Sequence, residues 1–161
     1  MSHKIILDTD PGIDDAMAIF FAFQHPEIDV LGLTTVFGNV PVDMAAKNAI
    51  TLCALADKNI PVCKGVGMPW VGKESGYAHF VHGDDGFGNI NFPAAKGELD
   101  PRSSAQFIVD MARQYPGEIT VVAIGPLGNL ALAIRLEPAL PKLLKAVSIM
   151  GGAAFVPGNV T

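Results

Sequence analysis

Lys4-Ile5-Ile6-Leu7-Asp8-Thr9-Asp10-Pro11-Gly12-Ile13-Asp14-Asp15 is the stretch whose reading decides the fold: an apolar run, four carboxylates within eight residues, and the start of a helix. Lys4 to Leu7 has the length and composition of a buried strand, and Pro11-Gly12 turns the chain. A helix is predicted from near Asp14, with Ala16, Met17, Ile19, Phe20 and Phe23 as its apolar positions. Asp14 and Asp15 then stand at its N-terminus, where a carboxylate satisfies free N–H groups and complements the macrodipole. Capping needs one of them and leaves Asp8 and Asp10 unexplained. Two carboxylates brought to about 4 Å repel by on the order of 4 kcal/mol at an effective dielectric of ~20, a cost that a bound cation turns into attraction. The stretch is therefore a candidate cation site.

Working outward, Asp29 to Phe37 reads as a second strand ending at Gly38-Asn39, and Pro41 opens a helix whose small face is Ala45, Ala46, Ala49, Ile50, Cys53 and Ala56. Ile60 to Lys64 is extended. Residues 65–100 form a long Gly-rich segment holding Trp70, Tyr77, His79, Phe80, His82 and the run Gly83 to Asn89; such lengths in compact domains mark lids, binding loops or disordered linkers, and the aromatics argue against a mere linker. A helix follows Ser103-Ser104 and stops at Pro116-Gly117, then come a strand from Ile119 to Ile124, a helix through Leu136, a short helical piece and a last strand from Ala146 to Met150. Strands that alternate with helices and are apolar on both faces predict an α/β fold: a mostly parallel open sheet with helices on both faces and a Rossmann-like core. One domain is expected over residues 1–161. Ligands bind such sheets outside the carboxyl ends of the strands, which here carry Asp8 to Asp15, Asn39, Ile124-Gly125 and Met150-Gly151.

Composition excludes several functions. Half the residues are hydrophobic and the net charge is −5, with Lys and Arg scattered singly, so no basic stripe offers contacts to nucleic acid. No apolar run reaches membrane-spanning length. The N-terminus lacks the apolar core and cleavage site of a secretory signal, which points to the cytoplasm, where Cys53 and Cys63 would stay reduced and buried. No G-x-G-x-x-G or Walker A pattern is present. Carboxylates and strand-end carbonyls make a hard-oxygen set that suits Ca²⁺ or Mg²⁺ better than zinc, and Ca²⁺ if several carboxylates bind directly. Such an ion acidifies water less than zinc does, so a neighbouring carboxylate must take the proton of an attacking water. His79 and His82 read equally as surface or packing residues and as an acid or base. Asn39 reads equally as a turn residue, and Asp84 and Asp85 as a solvated turn.

Asp8-Thr9-Asp10-Pro11-Gly12-Ile13-Asp14-Asp15-Ala16 resembles the signature of the inosine-uridine preferring nucleoside hydrolases. The likeness continues through Thr34 to Asn39, His82-Gly83-Asp84-Asp85-Gly86, Ala123 to Asn129, Met150-Gly151-Gly152 and Gly158-Asn159. The resemblance implies hydrolysis of the N-glycosidic bond of ribonucleosides to ribose and free base by a Ca²⁺-bound water, in purine or pyrimidine salvage. It implies Asp10, Asp15 and the Ile124 carbonyl as metal ligands, Asp10 also as the base that activates the water, and Asp14, Asn39, Met150 and Asn159 as ribose contacts. His82 would lie near the base site and Asp8 would support the turn. It further implies a dimer or tetramer, and a longer domain of which residues 1–161 are the N-terminal half, so that a complementing C-terminal half is a possible partner.

Two other readings stand beside it. One is an inactive truncated fragment with residual metal or ribose binding. The other is a phosphatase of the haloacid dehalogenase type, which also carries Asp-x-Asp at the end of its first strand. There a Thr or Val usually stands where this chain has Gly12, and Asp14-Asp15 have no role.

Overall fold

The computed structural model describes residues 2–72, 76–93 and 95–158. Strand β1 (His3–Thr9) lies at the centre of a five-stranded sheet, flanked by β2 (Ile28–Thr35) and β3 (Val62–Lys64) on one side and by β4 (Ile119–Ala123) and β5 (Ala146–Ile149) on the other. Every pairing is parallel. The expected open parallel sheet is thus present, and the order reverses between β1 and β4, which is the topological switch point of a doubly wound sheet.

Alternation along β1 distributes its side chains to the two layers. Ile5 and Leu7 face α1 (Ile13–Gln24) and α2 (Val42–Leu55), where they pack with Ile19, Phe23, Ala49 and Leu52. Ile6 faces the opposite layer of α4 (Ser104–Gln114), α5 (Gly128–Leu136) and α6 (Leu140–Leu143), among Phe107, Ile108, Ala133 and Leu140. The strand continues two residues past the predicted Leu7, because Asp8 and Thr9 pair with Thr34 and Thr35 of β2. Asp8 therefore falls on the α4–α5 side and Thr9 on the α1–α2 side.

The small face of α2 is buried as predicted at Ala45, Ala46, Ala49 and Cys53. Ser103 caps α4 by accepting the Gln106 N–H at 3.2 Å. Cys53 and Cys63 are both free thiols and buried. Among the described residues of the long Gly-rich segment there is one short helix, α3 (His79–His82), followed by a compact run of turns. The edge strand β5 departs from expectation: all four of its residues are exposed, because among the described residues no element covers its outer side. No helix among the described residues is long and apolar enough to cross a membrane.

Candidate active site

The backbone leaves β1 at Thr9, and three aspartates take up different partners within a few ångströms of the switch point. Asp8 is fully buried. Its Oδ1 accepts the Thr34 hydroxyl at 2.6 Å and the Asn129 amide at 2.8 Å, so it ties β1 to β2 and to the first turn of α5. Its role is structural, as the resemblance implied, but it acts from within the strand, one residue before that strand ends, rather than on the turn. Asn129 completes the joint by donating to the Thr35 carbonyl and accepting the Val66 N–H.

Thr9 points to the other layer, where its hydroxyl donates to Asp15 Oδ1 at 2.7 Å. Asp15 Oδ2 accepts the Gly12 N–H at 3.1 Å and the Asn39 side-chain amide at 2.9 Å. Asp15 is thus a cap of α1 and a buried carboxylate at once. The Asn39 backbone N–H reaches Asp10 Oδ2 at 2.6 Å, so one asparagine at the end of β2 grips two of the aspartates.

Asp10 Oδ1 is buried with no hydrogen-bond partner, and so is Asp8 Oδ2. Backbone walls Asp10 in: a Cβ added at Gly38 would lie 2.0 Å from its Oδ2, and one at Gly125 would lie 2.7 Å from its Oδ1. Only glycine lets the ends of β2 and β4 approach this closely. Burial, and then the Asp15 charge, push the Asp10 carboxyl up to about 8. Burial pushes Asp8 up to about 6, against the Thr34 and Asn129 bonds, and raises Asp15 as well. A buried, partnerless carboxylate oxygen beside a second carboxylate is costly in the absence of a counter-charge.

Ile124 follows β4 directly and its N–H bonds to the Asp8 carbonyl at 2.8 Å, so the β4 end runs alongside the aspartate turn. The side-chain oxygens gathered here come from Asp10 and Asp15. Among the described residues no three His, Cys, Asp or Glu side chains form a metal-binding group. The donor set fits a hard cation that takes its remaining oxygens from water, substrate or further protein.

Asp14 is exposed at the start of α1, 3.8 Å from His82 Nδ1. His82 is buried, and its Nδ1 accepts the Ile13 N–H at 3.2 Å, so a neutral ring carries its proton on Nε2. His79 lies outside the cluster, paired with Asp84 at 3.1 Å. Met150 stands just after β5 with its N–H on the Ala123 carbonyl and its side chain exposed. The structure therefore gathers Asp10, Asp14, Asp15, Asn39 and His82 around one turn, brings the Ile124 backbone beside it, and leaves the Met150 side chain in the open. Asn159 lies outside the described residues. Reading the sequence assigned no individual role to Thr9, Thr34, Asn129, Gly38 or Gly125, although the period-2 alternation of β1 separates Asp8 from Thr9.

The family model for the inosine-uridine preferring nucleoside hydrolases matches residues 5–161. The chain belongs to this family. Among its relatives, a probable uridine nucleosidase 2 of Arabidopsis thaliana is 52% identical over 159 residues, covering 98% of this chain and 49% of the relative. A solved plant nucleoside hydrolase, PpNRh1, superimposes with a TM-score of 0.95 at 43% identity, over 100% of this chain and 51% of that one. A purine-preferring ribonucleoside hydrolase from Gardnerella vaginalis gives a TM-score of 0.93 at 31% identity, over 98% and 51%. The chain spans about half the length of these nucleoside hydrolases. Membership of the family removes the phosphatase reading, in which Asp14 and Asp15 had no part.

Proposed function

We propose that this chain supplies the aspartate half of an active site that hydrolyses the N-glycosidic bond of ribonucleosides, releasing ribose and free base. The observation that carries the reading is the buried Asp10–Asp15 pair at the switch point, with Asp10 Oδ1 unpartnered and its carboxyl pushed up to about 8. Ca²⁺ would be held by Asp10, Asp15 and the Ile124 carbonyl, where it would supply positive charge that polarises water and fixes vicinal hydroxyls.

The protein's own groups divide the remaining work. Asp10, deprotonated, takes the proton from the attacking water. Asp14, exposed at the mouth of the turn, accepts hydrogen bonds from the ribose hydroxyls, and its charge together with that of its neighbours stabilises an oxocarbenium-like ribose. Asn39 holds Asp10 and Asp15 in place through its backbone and side-chain N–H groups. His82, with Nδ1 occupied by Ile13, offers Nε2–H on the base side. Met150 and Asn159 are the further ribose contacts in this reading.

The rest of the site comes from the remaining half of the fold. The exposed β5 edge and the apolar side chains of Leu130, Ile134, Leu144, Val147 and Ile149 beside it give that half a surface to join. The test is ribose release from uridine and from inosine by a chimera in which this chain is continued by the second half of the Arabidopsis relative. Calcium-dependent release of ribose with either nucleoside, lost in Asp10→Ala, supports the reading. A folded chimera that releases no ribose refutes it.

A further inference from the structure

The proposed reading uses His82 on the base side, yet His82 belongs to a loop far from the aspartates in sequence, and something must hold the two together. The loop is stiff within itself. Asp85 Oδ1 accepts the Phe87 and Asn89 N–H groups at 2.7 and 2.8 Å, and its Oδ2 accepts the Asn91 N–H at 2.8 Å. The His82 carbonyl accepts the Gly88 N–H at 2.7 Å. Phe87 is buried and packs edge-on against Phe92. Asp85 is thus an internal brace of the loop, while only Asp84 is the solvated residue that both were expected to be.

The outward link is Asn48, a 4% exposed residue on α2. Its side-chain amide donates to the Pro11 carbonyl in the aspartate turn at 3.1 Å and to the Asp85 carbonyl in the loop at 2.9 Å. Both protons of one amide are spent on two segments that are distant in sequence. Gly86 lies against the joint with φ of +81°, and a Cβ there would come within 2.6 Å of Asn48 Nδ2. A direct hydrogen bond between the two segments is that from the Ile13 N–H to His82 Nδ1.

We infer that Asn48 is a positioning residue: it sets the distance between the His82 loop and the aspartate turn, and so keeps His82 bonded to Ile13 with Nε2–H turned to the base side. This rests on the proposed reading of His82, but the joint itself is measurable without any hydrolysis.

The experiment is amide hydrogen exchange followed by NMR on the whole chain, wild type against Asn48→Ala. Because Asn48→Ala also empties a buried position, Gly86→Ala, which presses on the same amide from the loop side, serves as the second variant. The Leu33 amide, bonded to the Pro61 carbonyl in the sheet, is the reference. With two hydrogen bonds lost, exchange at Ile13 is expected to rise about tenfold or more relative to Leu33, with a shift of the His82 ring nitrogens. Unchanged Ile13 protection in the folded variants overturns the inference, as does an equal rise at Ile13 and Leu33. Failure of the chimera to release ribose would refute the hydrolase reading and leave this result untouched.

Discussion

Replacing Asp10 by Asn should stabilise this chain when no cation is present, and do so only at neutral and higher pH. The Asp10 carboxyl is raised from 3.8 to about 8. A carboxyl raised on folding binds its proton more tightly in the folded state, so its contribution to stability is full below pH 3.8 and is lost as pH climbs towards 8. At pH 7 the unfolded chain carries this group ionised and the folded chain must protonate it, a cost on the order of 4 kcal/mol. Asparagine keeps the acceptor for the Asn39 N–H but still buries an amide that is short of a partner, at about 2 kcal/mol. The net gain is about 2 kcal/mol, or about 4–8 °C in Tm for a chain of this size. Thermal melts of wild type and Asp10→Asn in a chelator from pH 4 to pH 8 check this. The variant should melt below wild type at pH 4, where only its amide cost remains, cross it between about pH 5 and 6 and lie above it at pH 8. A variant less stable at pH 8, or an advantage that does not change with pH, would refute the assignment of a strained carboxyl.

Other consequences follow from the same geometry. Gly125→Ala should lose about 2 kcal/mol by driving a methyl against Val36 and Asp10, read as a lower urea midpoint, and should cut ribose release by the chimera at least tenfold. Asn129→Leu should cost about 3 kcal/mol, since it strips a donor from buried Asp8 and from the Thr35 carbonyl, which keeps only the Ser104 hydroxyl, and leaves the Val66 N–H unpaired; chemical denaturation measures it. The free second half of the Arabidopsis relative should bind this chain, and Val147→Lys on the exposed β5 edge should weaken that association, measured by analytical ultracentrifugation.

The order of elements was legible because each strand is short, apolar and followed by a turn and an amphipathic helix. The cation site was legible from charge density alone: four aspartates in eight residues exceed what one cap requires. The division of labour was harder. Asp8 could be separated from Thr9 by following the alternation from Ile6, but that alternation does not part Asp8 from Asp10, and its partner Asn129 is 121 residues away, so that no local pattern pairs them. Asn48 lies three residues after Ala45, on the small buried face of α2, and a polar residue inside that stripe was the signal that it serves the interior. Asp84 and Asp85 look identical in sequence and differ only because the loop folds back on Asp85. The exposure of β5 was not legible, since an apolar strand reads as buried whether or not a neighbour is present to cover it.

The central claim is that the buried Asp10–Asp15 pair is a cation site, and calorimetric titration of the chain with Ca²⁺ near pH 7 in buffers of different ionisation enthalpy tests it most directly. Saturable binding accompanied by proton release is predicted, because the cation displaces the proton that Asp10 holds, and Asp10→Asn should abolish both. Absence of binding, or binding that survives Asp10→Asn with no proton released, would contradict it.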